Sequence, residues 1–180
     1  MTTVIPVAHN TEESRTLEML GIASIAFLVP FLLGGPQILV GTVVNGSLIY
    51  AALRGRWTQA LPVVMLPSIA VLSRGVIFGG LTPFLLVLMP YIWISNVILV
   101  SGIRFCSRGR CPAAVAIIAS CVVKVAFLYA SALLLARSGL IPEVMVNAMG
   151  TMQFTTALAG AGLVGFGAAI RSAIRFTFRL

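Results

Sequence analysis

From Ala113 to Ala136 the chain carries a single charge, Lys124, the only lysine in its 180 residues. At 1.5 Å rise per residue this stretch makes a helix roughly 36 Å long, enough to cross a hydrocarbon core of about 30 Å. In lipid every backbone polar group has to be satisfied within the protein, which leaves helices and closed barrels as the only spanning forms. Lys124 stands roughly 17 Å from either end of such a helix, at the depth of the bilayer centre. A cation there costs about 2.5–3.5 kcal/mol or more, so an ionisable residue at that depth marks a functional site by default.

The rest of the chain has the same character. Apolar residues make up 59% of it and charged residues 9%, against roughly 25% charged in soluble domains. The apolar residues fall in long runs, not in the ~10-residue alternating segments of a transmembrane β-barrel. The expected fold is an all-α membrane protein, a compact bundle of about six transmembrane helices. Spans are expected at Leu17–Leu33, Gln37–Leu53, Trp57–Ser73, Leu81–Gly102, Ala113–Ala136 and Thr151–Ile170. The third is short and holds Pro62 and Pro67, so a five-span variant with a re-entrant third segment is the alternative. Residues 1–16 read as a polar tail without a cleavable signal peptide. Residues 17–170 read as one membrane domain, and 171–180 as a basic amphipathic tail with Arg171, Arg175 and Arg179 on one helical face.

The net charge of +8 is carried at span ends, which points to anchoring and orientation and not to nucleic acid. With six spans, Arg15, Arg54, Arg56, Arg104, Arg108, Arg110, Arg171, Arg175 and Arg179 share one side, and only Arg74 and Arg137 lie on the other. The positive-inside rule then places both termini in the cytoplasm of a multi-pass protein of the cell membrane. Cys106 and Cys111 fall on that reducing side as free thiols. Cys-x4-Cys without a nearby histidine is a poor metal spacing, so no metal and no cofactor are expected.

Along its helix, Lys124 shares a face with Ile117, Ser120, Cys121, Phe127, Leu128 and Ser131, more polar than the opposite face and so expected to point into the bundle. The four acids, Glu12, Glu13, Glu18 and Glu143, all lie outside the spans. No internal carboxylate is available as its partner, and no carboxylate relay of a proton-coupled carrier is present. Either Lys124 is neutral through desolvation, or an anionic group reaches it from outside the protein. Two roles remain open: contact with a ligand in a cavity, or structural bonding, by snorkelling or to carbonyls opened by a proline. Asn45, Asn96, Gln153 and Thr156 are the candidate substrate-binding residues beside Lys124. Singly, each of these is more often interhelical glue worth about 0.6 kcal/mol. Small residues recur at Ala157, Ala161, Gly165 and Ala169, and at Gly21, Ala23 and Ala26. The latter three form a candidate partner interface, with internal packing as the alternative for both sets. The one lysine follows Val122-Val123 and no glycine-rich loop, so the chain is not its own P-loop ATPase. No catalytic constellation is visible, and an enzyme is not expected.

The stretches Pro36-Gln-Ile-Leu-Val-Gly-Thr-Val-Val-Asn45-Gly, Leu66-Pro-Ser-Ile-Ala-Val-Leu, Met89-Pro-Tyr-Ile-Trp-Ile-Ser-Asn96 and Met149-Gly-Thr-Met-Gln153-Phe-Thr-Thr-Ala-Leu resemble the substrate-binding S-components of energy-coupling factor (ECF) transporters. The resemblance spreads over residues 20–170. It implies a six-span protein that captures a vitamin or similar micronutrient from outside. It also implies two kinds of partner, a transmembrane coupling subunit and cytoplasmic ATPases. The family's coupling contact commonly uses Ala-x-x-x-Ala in the first span, whereas Ala23 and Ala26 stand three apart. Two rivals are a stand-alone small-solute carrier or channel, and a non-transporting membrane assembly subunit.

Overall fold

Prolines and glycines punctuate the apolar runs into helices. The computed structural model describes residues 7–33, 35–109 and 111–177, with side chains over 12–33, 35–109 and 111–171. In chain order the helices are α1 (Val7–Leu33), α2 (Gln37–Arg54), α3 (Trp57–Arg74), α4 (Thr82–Arg108), α5 (Ala113–Arg137), α6 (Val144–Met149) and α7 (Thr151–Thr177). A 3-10 turn, Gly79–Leu81, precedes α4. Every regular element among the described residues is helical. Pro36 and Pro112 sit at the N-caps of α2 and α5. There the missing N–H costs nothing, because the first amides of a helix have no partner within it. Gly75 closes α3 in the left-handed conformation, φ 70°, which a Cβ would penalise.

Among the described residues four helical segments are long and apolar enough to cross a membrane: Glu12–Leu33, Gly79–Arg108, Ala113–Arg137 and Val144–Arg171. α2 and α3, 18 residues each, fall outside that set. The expected span starts at Gln37, Trp57, Ala113 and Thr151 coincide with helix starts. Beyond the expected spans, α1 reaches back to Val7, α4 runs on to Arg108 and α7 continues to Thr177. The polar flanks are therefore mostly helix, since charge at a helix end opposes lipid burial but not the backbone conformation. The loop expected over 137–150 contains the short α6. Arg179 lies outside the described residues, as does the side chain of Arg175.

α2 is the hub, packing on α1, α3, α4 and α7, while α5 packs on α4, α6 and α7. One apolar core joins Met19, Ala26, Leu48, Ile49, Val63 and Leu99; a second, under α6, joins Leu88, Leu128, Ala132, Ile141 and Met145. Large apolar side chains also face outward, Leu86, Leu134 and Phe166 among them, as lipid-facing helices require. Four prolines, Pro30, Pro62, Pro67 and Pro90, lie inside helices. Neighbouring helices reseal the backbone around them. Asn96 Nδ2 donates to the Val64 carbonyl at 3.0 Å, in the turn ahead of Pro67.

One end of the bundle is basic and tied down. Arg104 donates from Nε to Ala52 O (3.2 Å) and from Nη2 to Ala51 O (3.1 Å) and Gly55 O (2.9 Å). Its guanidinium also stands over the Trp57 ring at 5.2 Å. A residue expected only to anchor the protein thus satisfies the open carbonyls at the end of α2. Arg56 pairs with Glu12 at 3.3 Å, and Arg171 with Glu18 at 3.6 Å. At the opposite end Arg74 lies over the Phe31 ring.

α2 and α7 cross at backbone contact. A Cβ on Gly160 would stand 2.6 Å from Gly46 N, and one on Gly41 would stand 2.7 Å from Thr156 Cγ2. In the expected small-residue repeat, Ala157 is buried and Ala161 partly so, but Gly165 and Ala169 are exposed. The residue that matters, Gly160, is outside that series. Gly160→Val is expected to cost about 1–3 kcal/mol through forced separation of the helices. Gly165→Val, whose Cβ meets open space, is expected to stay within about 0.5 kcal/mol. Denaturant unfolding in detergent compares them, and equal losses would contradict the crossing.

Candidate functional site

The polar face of α5 points inward as its spacing requires. Ser120, Cys121, Lys124, Leu128 and Ser131 are buried, and Val122 and Val123 on the opposite face are exposed. Lys124 is 2% exposed. Its Nζ donates to Asn45 Oδ1 at 2.5 Å. An ammonium has donors and no acceptor, so Asn45 can only turn its oxygen toward Lys124. That fixes the amide, and Nδ2 is left to donate to Gly41 O and to Thr156 Oγ1, both at 3.0 Å. The Thr156 hydroxyl in turn donates to Gln153 O at 3.2 Å. A directed chain therefore runs from α5 through α2 into α7.

No acidic side chain among the described residues pairs with Lys124. Of the four carboxylates, Glu12 and Glu18 pair with arginines at the basic end, and Glu13 and Glu143 are exposed. No backbone carbonyl among the described residues accepts from Nζ, and the side chain does not reach the surface. Among the described residues Asn45 Oδ1 is thus the one acceptor for the three donors of an ammonium. The carbonyl in the turn ahead of Pro67 is taken by Asn96, not by the lysine.

A cavity of about 90 Å³ with mainly apolar walls has Asn45, Asn96, Lys124 and Gln153, together with Gln37 and Ser68, as its polar lining residues. Four of the five expected site residues meet there. The fifth, Thr156, stands behind Asn45 and orients it. Ile77, Phe78 and Met149 also bound the cavity. Ser68 and Gln37 were missed as site residues, although both lie inside the stretches that carry the family resemblance. Ser68 Oγ accepts from Trp93 Nε1 at 2.6 Å and donates to Met65 O at 2.9 Å, so its position is fixed by α3 and α4. The volume is below the ~300–1,000 Å³ of ordinary small-molecule pockets.

The candidate partner-interface residues separate. Ala26 is fully buried in the core between α1 and its neighbours, Ala23 is 7% exposed, and Gly21 is exposed. Ala23 also borders an open apolar crevice between α1 and α3, lined by Met19, Phe27, Pro62 and Leu66.

Comparison with protein-family models, curated proteins and solved structures returned no match to this chain.

The charge accounting makes a stability test possible. Asn45→Leu strands a buried ammonium and is expected to cost about 3–5 kcal/mol. Lys124→Met strands only an amide oxygen, at about 1–3 kcal/mol. The double variant is expected to be more stable than Asn45→Leu alone. A double-mutant cycle measures this coupling, and simply additive losses would contradict it.

Proposed function

We propose that this chain is a substrate-capture membrane subunit of the energy-coupling factor type, taking a small anionic ligand from outside. In this reading all six long helices span the cell membrane and both termini are cytoplasmic. α2 and α3 cross as well: α2 packs on four other helices and needs less apolar surface of its own, and α3 turns Leu61 and Met65 outward. The observation that carries the reading is Lys124: a buried amine with one neutral partner among the described residues, beside a mainly apolar cavity into which Asn45, Asn96 and Gln153 bring polar groups. Such a group is costly unless something brings negative charge to it. A carboxylate or a comparable acceptor on the ligand would take its remaining donors, and the amides of Asn96 and Gln153 would fix the ligand's orientation.

Entry in this reading is from the end opposite the basic cluster, where Ile77 and Phe78 line the cavity. These two residues move outward to admit a ligand larger than the present volume. Energy comes from partner ATPases through a coupling subunit, because the only lysine of the chain stands in α5 and not in a phosphate-binding loop.

Mass spectrometry of small molecules retained through purification in mild detergent tests this reading. An anionic compound is expected from the unaltered protein. Lys124→Met is expected to bind it about a hundredfold more weakly, the size of effect seen when one partner of a buried charge contact is removed. Unchanged affinity in a folded Lys124→Met variant would end the ligand role of Lys124. Uptake into liposomes by this chain alone, without ATPases, would instead identify a stand-alone carrier.

A further inference from the structure

α1 and α7 both pack on α2 and barely on each other, which leaves a groove between them with α2 as its floor. Its volume is about 390 Å³. On α2 it follows one helical face, Val43, Gly46, Ser47, Tyr50, Leu53 and Arg54, the spacing of a single stripe. From Val43 to Arg54 the stripe runs roughly 16 Å at 1.5 Å per residue, close to one leaflet of a ~30 Å hydrocarbon core. Spread over that length, and with a water radius of about 1.4 Å added on each side, the volume gives a section roughly 8 Å across. That admits a hydrocarbon chain and is narrower than the 10–12 Å diameter of a helix.

The groove changes character along its length. Its walls are apolar, with Ile22 and Ile25 from α1 and Leu163 and Val164 from α7. Its far end holds Arg54 and Arg171. Arg171 is shared: its Nη1 stands 3.6 Å from Glu18 Oε1, its Nη2 donates to Tyr50 OH at 3.1 Å, and Tyr50 donates to Glu18. Arg54 has no carboxylate partner among the described residues. Among the described residues, the groove lining and its partner Glu18 therefore carry two positive charges and one negative, a net of one.

We infer that this groove is a binding site for a single anionic phospholipid of the leaflet at the basic end of the bundle. One acyl chain lies along the α2 stripe, and the phosphodiester meets Arg54 and the outer face of Arg171. The match is of length, width and charge together: one leaflet long, narrower than a helix, one net positive charge against one phosphodiester. Basic sites between helices at a membrane surface recognise lipid headgroups by this complementarity. The site is separate from the Lys124 cavity and shares no lining residue with its polar set.

The test is native mass spectrometry of the full chain released from nanodiscs holding equal amounts of phosphatidylglycerol and phosphatidylcholine. One retained lipid per chain is expected, with phosphatidylglycerol preferred about fivefold, the effect of one basic residue at a membrane surface. Arg54→Gln is expected to remove the preference while leaving a lipid bound. Gly167→Leu fills the groove, since a Cβ there meets open space, and is expected to abolish retention of both lipids with the unfolding temperature kept. Equal retention of the two lipids by the unaltered protein would overturn the assignment. So would full lipid retention by Gly167→Leu, or a second polypeptide seated in the groove in place of lipid.

Discussion

The hydrogen bond from Lys124 Nζ to Asn45 Oδ1, 2.5 Å long, determines how three helices can meet. An ammonium at this depth has to face an acceptor, so α5 has to present Lys124 to α2, and α2 has to present Asn45 at the same level. Because the amide oxygen is committed, its nitrogen faces Gly41 O and Thr156 Oγ1. That brings in α7, and α7 can come close enough only because Gly41 and Gly160 carry no side chain. The glycine contacts and the polar chain are two sides of one constraint: without the close crossing, Asn45 would not reach Thr156 and its amide would lose a partner.

The same bond leaves the site chemically incomplete. A fully satisfied polar network inside an apolar bundle would be a structural device, worth little beyond specificity of packing. Here the acidic residues that could complete it are held at the helix ends, where Glu12 and Glu18 neutralise arginines. The positive charge in the interior and the negative charge at the ends are kept apart by the fold. Arg104, clamped onto the carbonyls that close α2, holds the end of the helix that carries Asn45.

Much of this was legible in the residues. Helix starts at Gln37, Trp57, Ala113 and Thr151 follow directly from proline and glycine punctuation, because those residues act locally. The inward face of α5 follows from three- and four-residue spacing around Lys124. The pairing of Lys124 with Asn45 was not legible, since the relative rotation of α2 and α5 is set by their packing on α4 and α7 and not by direct packing between them. Gly160 was hidden for a related reason: a regular small-residue repeat predicts a packing stripe, whereas the observed crossing uses one glycine outside it. α6 escaped notice because a helix of six residues is too short for a periodic pattern, and the helical flanks were masked by their charge. Arg104 read as an anchor because its bonds to backbone carbonyls leave no trace in side-chain pattern.

Because Lys124 is the only lysine in the chain, protein labelled with 15N at lysine Nζ gives one side-chain signal that needs no assignment. That signal, recorded on protein as purified and again after its retained small molecules have been washed out, reports directly on whether the ammonium meets a ligand. If Lys124 binds the captured molecule, the Nζ resonance moves between the two samples and its remaining donors regain exchange with water on washing. A single unmoved resonance in both, with a small molecule demonstrably bound in the first, would contradict it and leave Lys124 as a purely structural partner of Asn45.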